Sequence, residues 1–306
     1  MRTAFIGAVE GSALALEALV EADLAPDLVI TLPPEAAGRH SDFADLAPLA
    51  DAGDSKLVYA ADINGPVALD ALLAFETELA LVIGWSQVCH AGFLSLPAIG
   101  CVGFHPAPLP RMRGRAVIPW TILLGETETA ATLFWLDEGV DSGPILLQER
   151  IAVSPAETAR SLYTKQIRAL ARMLPDAVRR IRTGDVPRIE QDHTRATYCA
   201  KRTPEDGLID WREPAEKVIR LVRAVGDPYP GAFTSYAGDR LTIDAATDFP
   251  DAHRYIGLAG QVQCHTPEGF VVRCGDGEAV HVTAWRNGNG GAPRPKLHAK
   301  LGAPMP

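Results

Sequence analysis

The sequence predicts an α/β domain built on a doubly wound, mostly parallel sheet, followed by a smaller β domain. Continuous apolar runs alternate with helical patterns through the first 84 residues, as in sheets covered by helices on both faces. After residue 231 the chain carries short β patterns joined by Gly and Asp turns, which favour a small open barrel. A chain of 306 residues is long enough for one large and one smaller domain.

The first predicted βα unit is a strand at residues 3–7 followed by a helix from Gly11. Its turn lacks the G-x-G-x-x-G pattern, so it predicts no dinucleotide site. Further strands are predicted at residues 27–32, 56–60 and 78–84, with helices near 41–50 and at 66–76. Ligands of such sheets bind beyond the carboxyl ends of the strands, so the residues that follow each strand are the candidates.

Two candidates for proton transfer follow predicted strands. His105 comes directly after the CVGF run, and Asp141 lies in the DEGVDSG turn after the ATLFWL run. The glycines of that turn allow one carboxylate to face the crevice at the sheet edge. A histidine and an aspartate from neighbouring strands can meet there and tune each other's proton affinity. The alternative for DEGVDSG is an ordinary polar turn.

Three arginines, Arg111, Arg113 and Arg115, alternate around a glycine in a segment suited to an exposed loop. Guanidinium groups placed there can clamp a phosphate or a carboxylate of a substrate. The alternative is a solvated basic loop. A buried helix at residues 116–124 and a long amphipathic helix at 156–183 are predicted next.

The predicted domain boundaries follow from where these patterns stop. Residues 1–184 form the first domain, 185–203 an irregular linker, 204–287 the second domain and 288–306 a flexible tail. The second domain starts with an amphipathic helix at 213–225.

Composition indicates a cytoplasmic globular protein without a membrane segment or leader. The formal charge of -9 opposes a polyanion partner, which needs a local basic surface. Five scattered cysteines without a C-x-x-C pair predict free thiols and no metal site.

The segments HPAPLPRMRGRAVIPW and GETETAATLFWLDEGVDSGPILLQ resemble the formyltransferase family that uses 10-formyltetrahydrofolate. The family includes the formyltransferases of methionyl-tRNA, of glycinamide ribonucleotide and of amino sugars. KRTPEDGLIDWREPAEKVIRLVRAVGDPYPGAF is similar to the start of the family's C-terminal domain. The resemblance, which spans roughly residues 80–285, implies a Rossmann-like formyltransferase domain and an OB-like second domain.

The resemblance also implies site residues. The family's catalytic trio is an Asn-x-His pair and a downstream Asp; His105 and Asp141 match the last two, whereas Gly103 stands at the Asn position. The residues expected to bind the folate are Gly84, Trp85, Ser86, Leu136, Asp137, Glu138, Gly139 and Val140. The alternative for Trp85 is an aromatic side chain of the core or the rim.

Gly103 cannot supply a side-chain donor to a developing oxyanion. Losing one such donor typically costs on the order of 3 kcal/mol of transition-state stabilisation. Three alternatives follow: a water or a side chain such as Ser86 or Gln87 replaces the donor, the site uses a different nucleophile or donor, or the protein binds folate without catalysis.

The expected function is transfer of a formyl group from 10-formyltetrahydrofolate to a primary amine, most simply that of a nucleotide-linked amino sugar. An amino-acid-derived amine such as hydroxyornithine is the second alternative and methionyl-tRNA the third. A catalytically silent folate-binding protein is the alternative from another class. The sequence leaves the oligomeric state open.

Overall fold

The computed structural model describes residues 1–39, 42–288, 290–291 and 293–302. The chain divides into two compact units. The first contains Met1–Val117, Glu128–Ala152 and Tyr163–Ala200; the second contains Ile118–Thr127, Val153–Leu162 and the chain from Lys201 onward. The predicted boundaries at residues 184 and 203 therefore differ from this division, in which two internal segments belong to the second unit.

The elements up to residue 200 alternate between strands and helices over most of their length. In chain order they are β1 (Thr3–Ile6), α1 (Glu10–Glu21), β2 (Leu28–Thr31), α2 (Ala47–Ala52), β3 (Lys56–Tyr59), α3 (Pro66–Ala74), β4 (Leu79–Val82), α4 (Ala91–Leu94), β5 (Gly100–His105), β6 (Arg113–Gly114), α5 (Val117–Leu123), β7 (Glu128–Trp135), β8 (Ile145–Ala152), α6 (Ala159–Arg182) and β9 (Tyr198–Cys199). The helix expected near 41–50 begins at Ala47, and residues 40–41 lie outside the described part.

Seven of these strands form the sheet of the first unit, in the order β3-β2-β1-β4-β5-β7-β8. The first five strands are parallel, whereas β7 and β8 are antiparallel to their neighbours. Every residue of β1, β2 and β4 is buried, as expected for strands covered on both faces. The prediction of a mostly parallel α/β sheet is confirmed. β8 was not predicted; its residues are mostly half-buried or exposed, so no continuous apolar run marks it.

The second unit contains an antiparallel sheet. Its elements are α7 (Ala215–Val225), β10 (Ala232–Tyr236), β11 (Asp239–Asp248), β12 (Val262–His265), β13 (Phe270–Arg273), β14 (Ala279–Asn287) and β15 (Gly290–Gly291). The strand order is β10-β11-β14-β13-β12, with β15 paired to β14. The five longer strands coincide with the predicted β patterns. Short 3-10 turns lie at Pro34–Arg39, His193–Arg195, Pro204–Gly207 and Ala252–Arg254.

Part of the segment predicted as a flexible tail pairs with the second unit. Lys300 forms an isolated bridge with Gln261, next to β12, and the Leu301 N–H donates to the Gly260 carbonyl at 2.7 Å. Leu301 is buried. The described residues 293–302 therefore pack on the second unit, because they satisfy backbone groups at the edge of its sheet. The tail expectation for residues 289, 292 and 303–306 lies outside the described residues.

The segment predicted as a linker lies mostly in the first unit. Residues 185–200 belong to the first unit, where Ile189 bridges to Ile145 and β9 pairs with β6.

Among the described residues, no helix combines the length and the apolarity needed to cross a bilayer.

Candidate active site

His105 ends β5 at the carboxyl edge of the sheet. It is 5% exposed, and its Nε2 lies 2.7 Å from the Met112 carbonyl oxygen. Because a carbonyl only accepts hydrogen bonds, Nε2 carries the proton and donates. The other ring nitrogen, Nδ1, faces the Asp141 carboxylate at 3.5 Å. The structure therefore brings together the two residues that the sequence singled out for proton transfer.

Asp141 reaches His105 through a tightly organised loop. The Asp137 carboxylate accepts hydrogen bonds from the Gly139 N–H at 3.1 Å and from the Ser142 hydroxyl at 2.8 Å. Asp141 itself has a φ of 49°, in the left-handed region. Its Oδ2 accepts a hydrogen bond from the Gly114 N–H at 2.7 Å. One carboxylate oxygen is thus held between a backbone donor and the imidazole.

The segment after His105 is held by side chains from elsewhere in the first unit. Three of them donate to its carbonyl groups: Gln166 to Pro106 at 2.7 Å, Thr132 to Ala107 at 2.6 Å and Gln148 to Leu109 at 3.2 Å. Thr132 and Gln166 are fully buried. These bonds satisfy carbonyls that a non-repetitive segment leaves unpaired, and they fix the path of the chain between His105 and Met112.

Gly103 lies against hydrocarbon. A Cβ added at Gly103 would lie 2.5 Å from Leu136 Cδ2 and 3.3 Å from Phe134 Cε1. The space is taken by Leu136, so the alternative in which Ser86 or Gln87 fills it does not describe this structure. The Gln87 amide instead accepts from the Ile63 N–H and donates to the Ala61 carbonyl.

A cleft of about 110 Å³ opens near the carboxyl ends of the first strands. It is lined by Ala8, Leu32, Ala36, Ala61, Gly84, Trp85, Ser86 and Gln87. Gly84 has a φ of 70°, and an added Cβ there would lie 2.5 Å from the Ser12 hydroxyl, so this position favours glycine. Trp85 is half-buried and packs against the apolar core of the first unit.

The three arginines of the predicted loop lie in different environments. Arg111 is exposed, and Arg115 is exposed while donating to the Ser86 carbonyl at 3.1 Å. Arg113 is only 1% exposed and donates to Gln191, His193 and Tyr198. The side chains of Arg111 and Arg115 are therefore the accessible ones.

Of the residues expected to bind folate, Leu136 faces Gly103 and Asp137 organises the loop around Asp141. Glu138, Gly139 and Val140 are exposed, Val140 to 53%. Gly84, Trp85 and Ser86 lie in the cleft. The expected folate residues thus form two groups, one on the loop after β7 and one in the cleft after β4.

Sequence reasoning missed the residues that brace this site from the segment after α6. Gln191 donates to the carbonyl groups of Asp141 and Gly143, and the Thr197 hydroxyl accepts from the Met112 N–H at 2.8 Å. No periodic pattern of apolar residues marks this segment, and for that reason the sequence predicts an irregular linker there.

The cysteines near the site are not suited to nucleophilic chemistry. Burial raises the pKa of the Cys89 and Cys101 thiols to about 12, from 9.0, and a thiol in that state is a poor nucleophile. All five cysteines are free thiols. In the described part of the chain, no cluster of three or more His, Cys, Asp or Glu side chains is arranged to hold a metal ion.

The first unit has an α/β fold, and His105 and Asp141 are in contact at the carboxyl edge of its sheet. Residues 1–178 match the family model described as formyl transferase, and residues 201–291 match the formyl transferase C-terminal domain. The chain belongs to the formyl transferase family, and it is a formyltransferase.

Two similar curated proteins are methionyl-tRNA formyltransferases. The one from Symbiobacterium thermophilum is 33% identical over 90% of this chain and 85% of its own length. The one from Moorella thermoacetica is 34% identical over 92% and 90%, respectively. Among solved structures, an N-formyltransferase from Helicobacter canadensis in complex with folinic acid and dTDP-3-aminofucose superposes with a TM-score of 0.68 at 18% identity. That match covers 92% of this chain and 99% of that one, and at this identity it shows the fold alone.

Proposed function

We propose that the protein transfers the formyl group of 10-formyltetrahydrofolate to the primary amine of a nucleotide-linked amino sugar. The observation that carries the proposal is the His105 Nδ1–Asp141 Oδ2 contact of 3.5 Å at the carboxyl end of β5, within a chain of this family. Formyl transfer forms a bond between the amine nitrogen and the formyl carbon, breaks the bond to the folate nitrogen, and moves one proton from the amine to that nitrogen.

His105 and Asp141 are suited to move that proton. Nε2 is committed to the Met112 carbonyl, so the exchangeable position of the ring is Nδ1, beside the Asp141 carboxylate. A proton received at Nδ1 is stabilised by the carboxylate, and the resulting imidazolium can donate to the departing nitrogen. The Gly114 N–H, through its bond to Oδ2, keeps the carboxylate in place during the transfer.

The residues present fit a folate co-substrate. Trp85 offers an aromatic ring beside a cleft of about 110 Å³ at the edge of the sheet. Leu136, Asp137, Glu138, Gly139 and Val140 form the loop that also carries Asp141. When bound, the folate supplies the formyl group. We assign Arg111 and Arg115, which are accessible, to contacts with an anionic group of either substrate.

Charge favours a small amine over tRNA. Residues 201–306 contain thirteen Lys and Arg and thirteen Asp and Glu, so this part of the chain has no basic excess with which to hold a polyanion. The Helicobacter canadensis N-formyltransferase was solved with a dTDP-linked amino sugar, which supports this substrate class for the same overall fold. Methionyl-tRNA is the second candidate, because both curated relatives are methionyl-tRNA formyltransferases.

A substrate panel tests the proposal. The protein is incubated with 10-formyltetrahydrofolate and, separately, with dTDP- and UDP-linked amino sugars, hydroxyornithine and methionyl-tRNA, and formylated product is measured by mass spectrometry. Turnover of a nucleotide-linked amino sugar alone is expected. Turnover of methionyl-tRNA or hydroxyornithine alone overturns the sugar assignment, whereas folate binding without turnover of any amine supports a silent binding protein. We further propose that the chain acts in the cytoplasm, which cell fractionation followed by the same assay tests.

A further inference from the structure

Arg113 is a buried cation that the proposed chemistry does not use. Its side chain is 1% exposed, and in the described residues its hydrogen-bond partners are the side chains of Gln191, His193 and Tyr198, none of which is a carboxylate. Its Nε and Nη2 donate to Gln191 Oε1 at 3.2 and 2.7 Å, Nη2 lies 3.1 Å from His193 Nδ1, and Nη1 donates to the Tyr198 hydroxyl at 3.2 Å. A buried guanidinium engaged in this way is not available to clamp a substrate anion.

The partner of Arg113 connects it to the catalytic loop. Gln191 is 5% exposed, and its amide oxygen accepts two hydrogen bonds from the guanidinium. Because the guanidinium only donates, the orientation of the amide is determined, and its NH₂ group points the other way. That NH₂ donates to the Asp141 carbonyl at 2.9 Å and to the Gly143 carbonyl at 2.6 Å.

The first of these carbonyls belongs to Asp141 itself, and the second lies two residues further along the same loop. Asp141 has a φ of 49°, a region that residues with a Cβ occupy only when their surroundings hold them there. In this conformation its carboxylate meets both the Gly114 N–H and His105. Gly114 belongs to the same two-residue strand as Arg113. The hydrogen bonds therefore lead from Arg113 through Gln191 and Asp141 back to the residue next to Arg113.

We infer that Arg113 and Gln191 are positioning residues that hold the Asp141 backbone so that its carboxylate faces His105. The inference rests on the proposed formyl transfer only for its kinetic readout. It assigns Arg113 to the interior of the site, in place of the contact with substrate that its sequence context suggested. It also makes the segment after α6 a part of the site.

Gln191→Glu separates positioning from folding. Glutamate keeps an acceptor for Arg113 and adds an ion pair with it, but an ionised carboxylate has no hydrogen to donate to the two carbonyls. We expect kcat to fall at least about tenfold while the protein still folds, as its circular dichroism spectrum shows, although the unpaired carbonyls lower its thermal unfolding midpoint. A wild-type kcat in this variant overturns the inference.

A double-mutant cycle identifies the route of the effect. If Gln191 acts through Asp141, Gln191→Glu lowers kcat in the wild-type background and changes it less than about twofold in the Asp141→Ala background. Full additivity of the two losses, as expected from a general structural defect, contradicts the inference. Ser55→Ala is the matched control, since Ser55 donates a single hydrogen bond to the Pro26 carbonyl and takes no part in the site; its kcat is expected to equal that of the wild type.

A readout without turnover keeps this test separate from the proposed function. Hydrogen exchange of the Gly114 amide reports its bond to Asp141 directly. We expect exchange at Gly114 to rise at least about tenfold in Gln191→Glu and to stay unchanged in Ser55→Ala. If the wild type formylates no amine, the proposed function fails, but the exchange result still decides the positioning role: unchanged protection in Gln191→Glu contradicts it.

Discussion

At the scale of single residues, the candidate site consists of His105, Asp141 and the groups that contact them. His105 is buried, uses one ring nitrogen on a backbone carbonyl and presents the other to Asp141. Where the family resemblance implies an asparagine, Gly103 and Leu136 leave only hydrocarbon. In the proposed reaction, His105 is therefore the side chain assigned to stabilise the developing charge in place of the asparagine.

Replacing either member of the His105–Asp141 pair is expected to lower formyl transfer at least about tenfold, because each removes one participant in proton transfer. The variants are His105→Ala and Asp141→Ala, and the measurement is kcat/KM with the amine identified by the substrate panel. His90→Ala and Asp70→Ala serve as controls, since both residues lie outside the site. Unchanged rates in both site variants would show that the proposed roles are wrong.

A donor can be returned to position 103 only if room is made for it. Gly103→Asn alone pushes its Cβ to within 2.5 Å of Leu136 Cδ2, so we combine it with Leu136→Ala. The double variant is expected to transfer formyl groups about tenfold or more faster than Leu136→Ala alone, because the amide can donate to the oxyanion. Equal rates in these two variants would mean that another group already supplies the donor.

At the scale of elements, the path of the chain after His105 is determined by contacts with β7, β8 and α6. A strand positions His105, but the residues that follow it have no ladder of their own. Thr132, Gln148 and Gln166 supply the missing donors from three different elements. The Gln166 amide of α6 and the Thr132 hydroxyl of β7 come from distant parts of the sequence. These hydrogen bonds therefore form only when the sheet assembles.

Thr132→Val tests that bracing. Thr132 is fully buried, donates to the Ala107 carbonyl and accepts from Gln148. Valine has the same shape but leaves those two groups without this partner, so we expect a loss of about 1–3 kcal/mol in the free energy of unfolding in urea. Thr194→Val, at an exposed position, is expected to change it by less than about 0.5 kcal/mol. A loss at Thr132 no larger than that of the control contradicts the bracing role.

At the scale of the whole molecule, each unit has its own sheet and its own buried thiols. Cys89 and Cys101 are buried in the first unit and Cys274 in the second, and burial raises the pKa of each thiol to about 12. In the unfolded chain these thiols ionise near their ordinary value of 9.0. Between those two values the folded state holds more protons than the unfolded state.

The stability of the protein is therefore expected to fall as the pH rises from about 9 toward about 12, because the unfolded state is favoured by losing thiol protons. The free energy of unfolding is measured in urea at several pH values across the lower part of this range. A chain with alanine at Cys89, Cys101 and Cys274 provides the comparison, and its stability should depend less on pH there. Identical slopes for the two chains contradict the expectation.

Much of the fold and part of the candidate site could be predicted from local patterns. The buried strands β1, β2 and β4 are continuous apolar runs, and His105 and Asp141 follow recognisable strands. β8 escaped prediction because polar residues interrupt its apolar positions and most of its residues are half-buried or exposed. The segment after residue 287 was predicted as a tail because no β or helical pattern follows there, and the packing of Leu301 at a sheet edge depends on contacts that no local pattern specifies.

By itself, the sequence determined the α/β character of the first unit, the β character of the second and the identity of the His–Asp pair, because hydrophobic periodicity and short motifs are local properties of the chain. Only the tertiary structure decided that Leu136 fills the space beside Gly103 and that Arg113 is buried against Gln191. Those contacts join residues 33 and 78 positions apart. The partner of such a residue depends on how the strands are ordered and on which face each side chain occupies, and no local pattern specifies either.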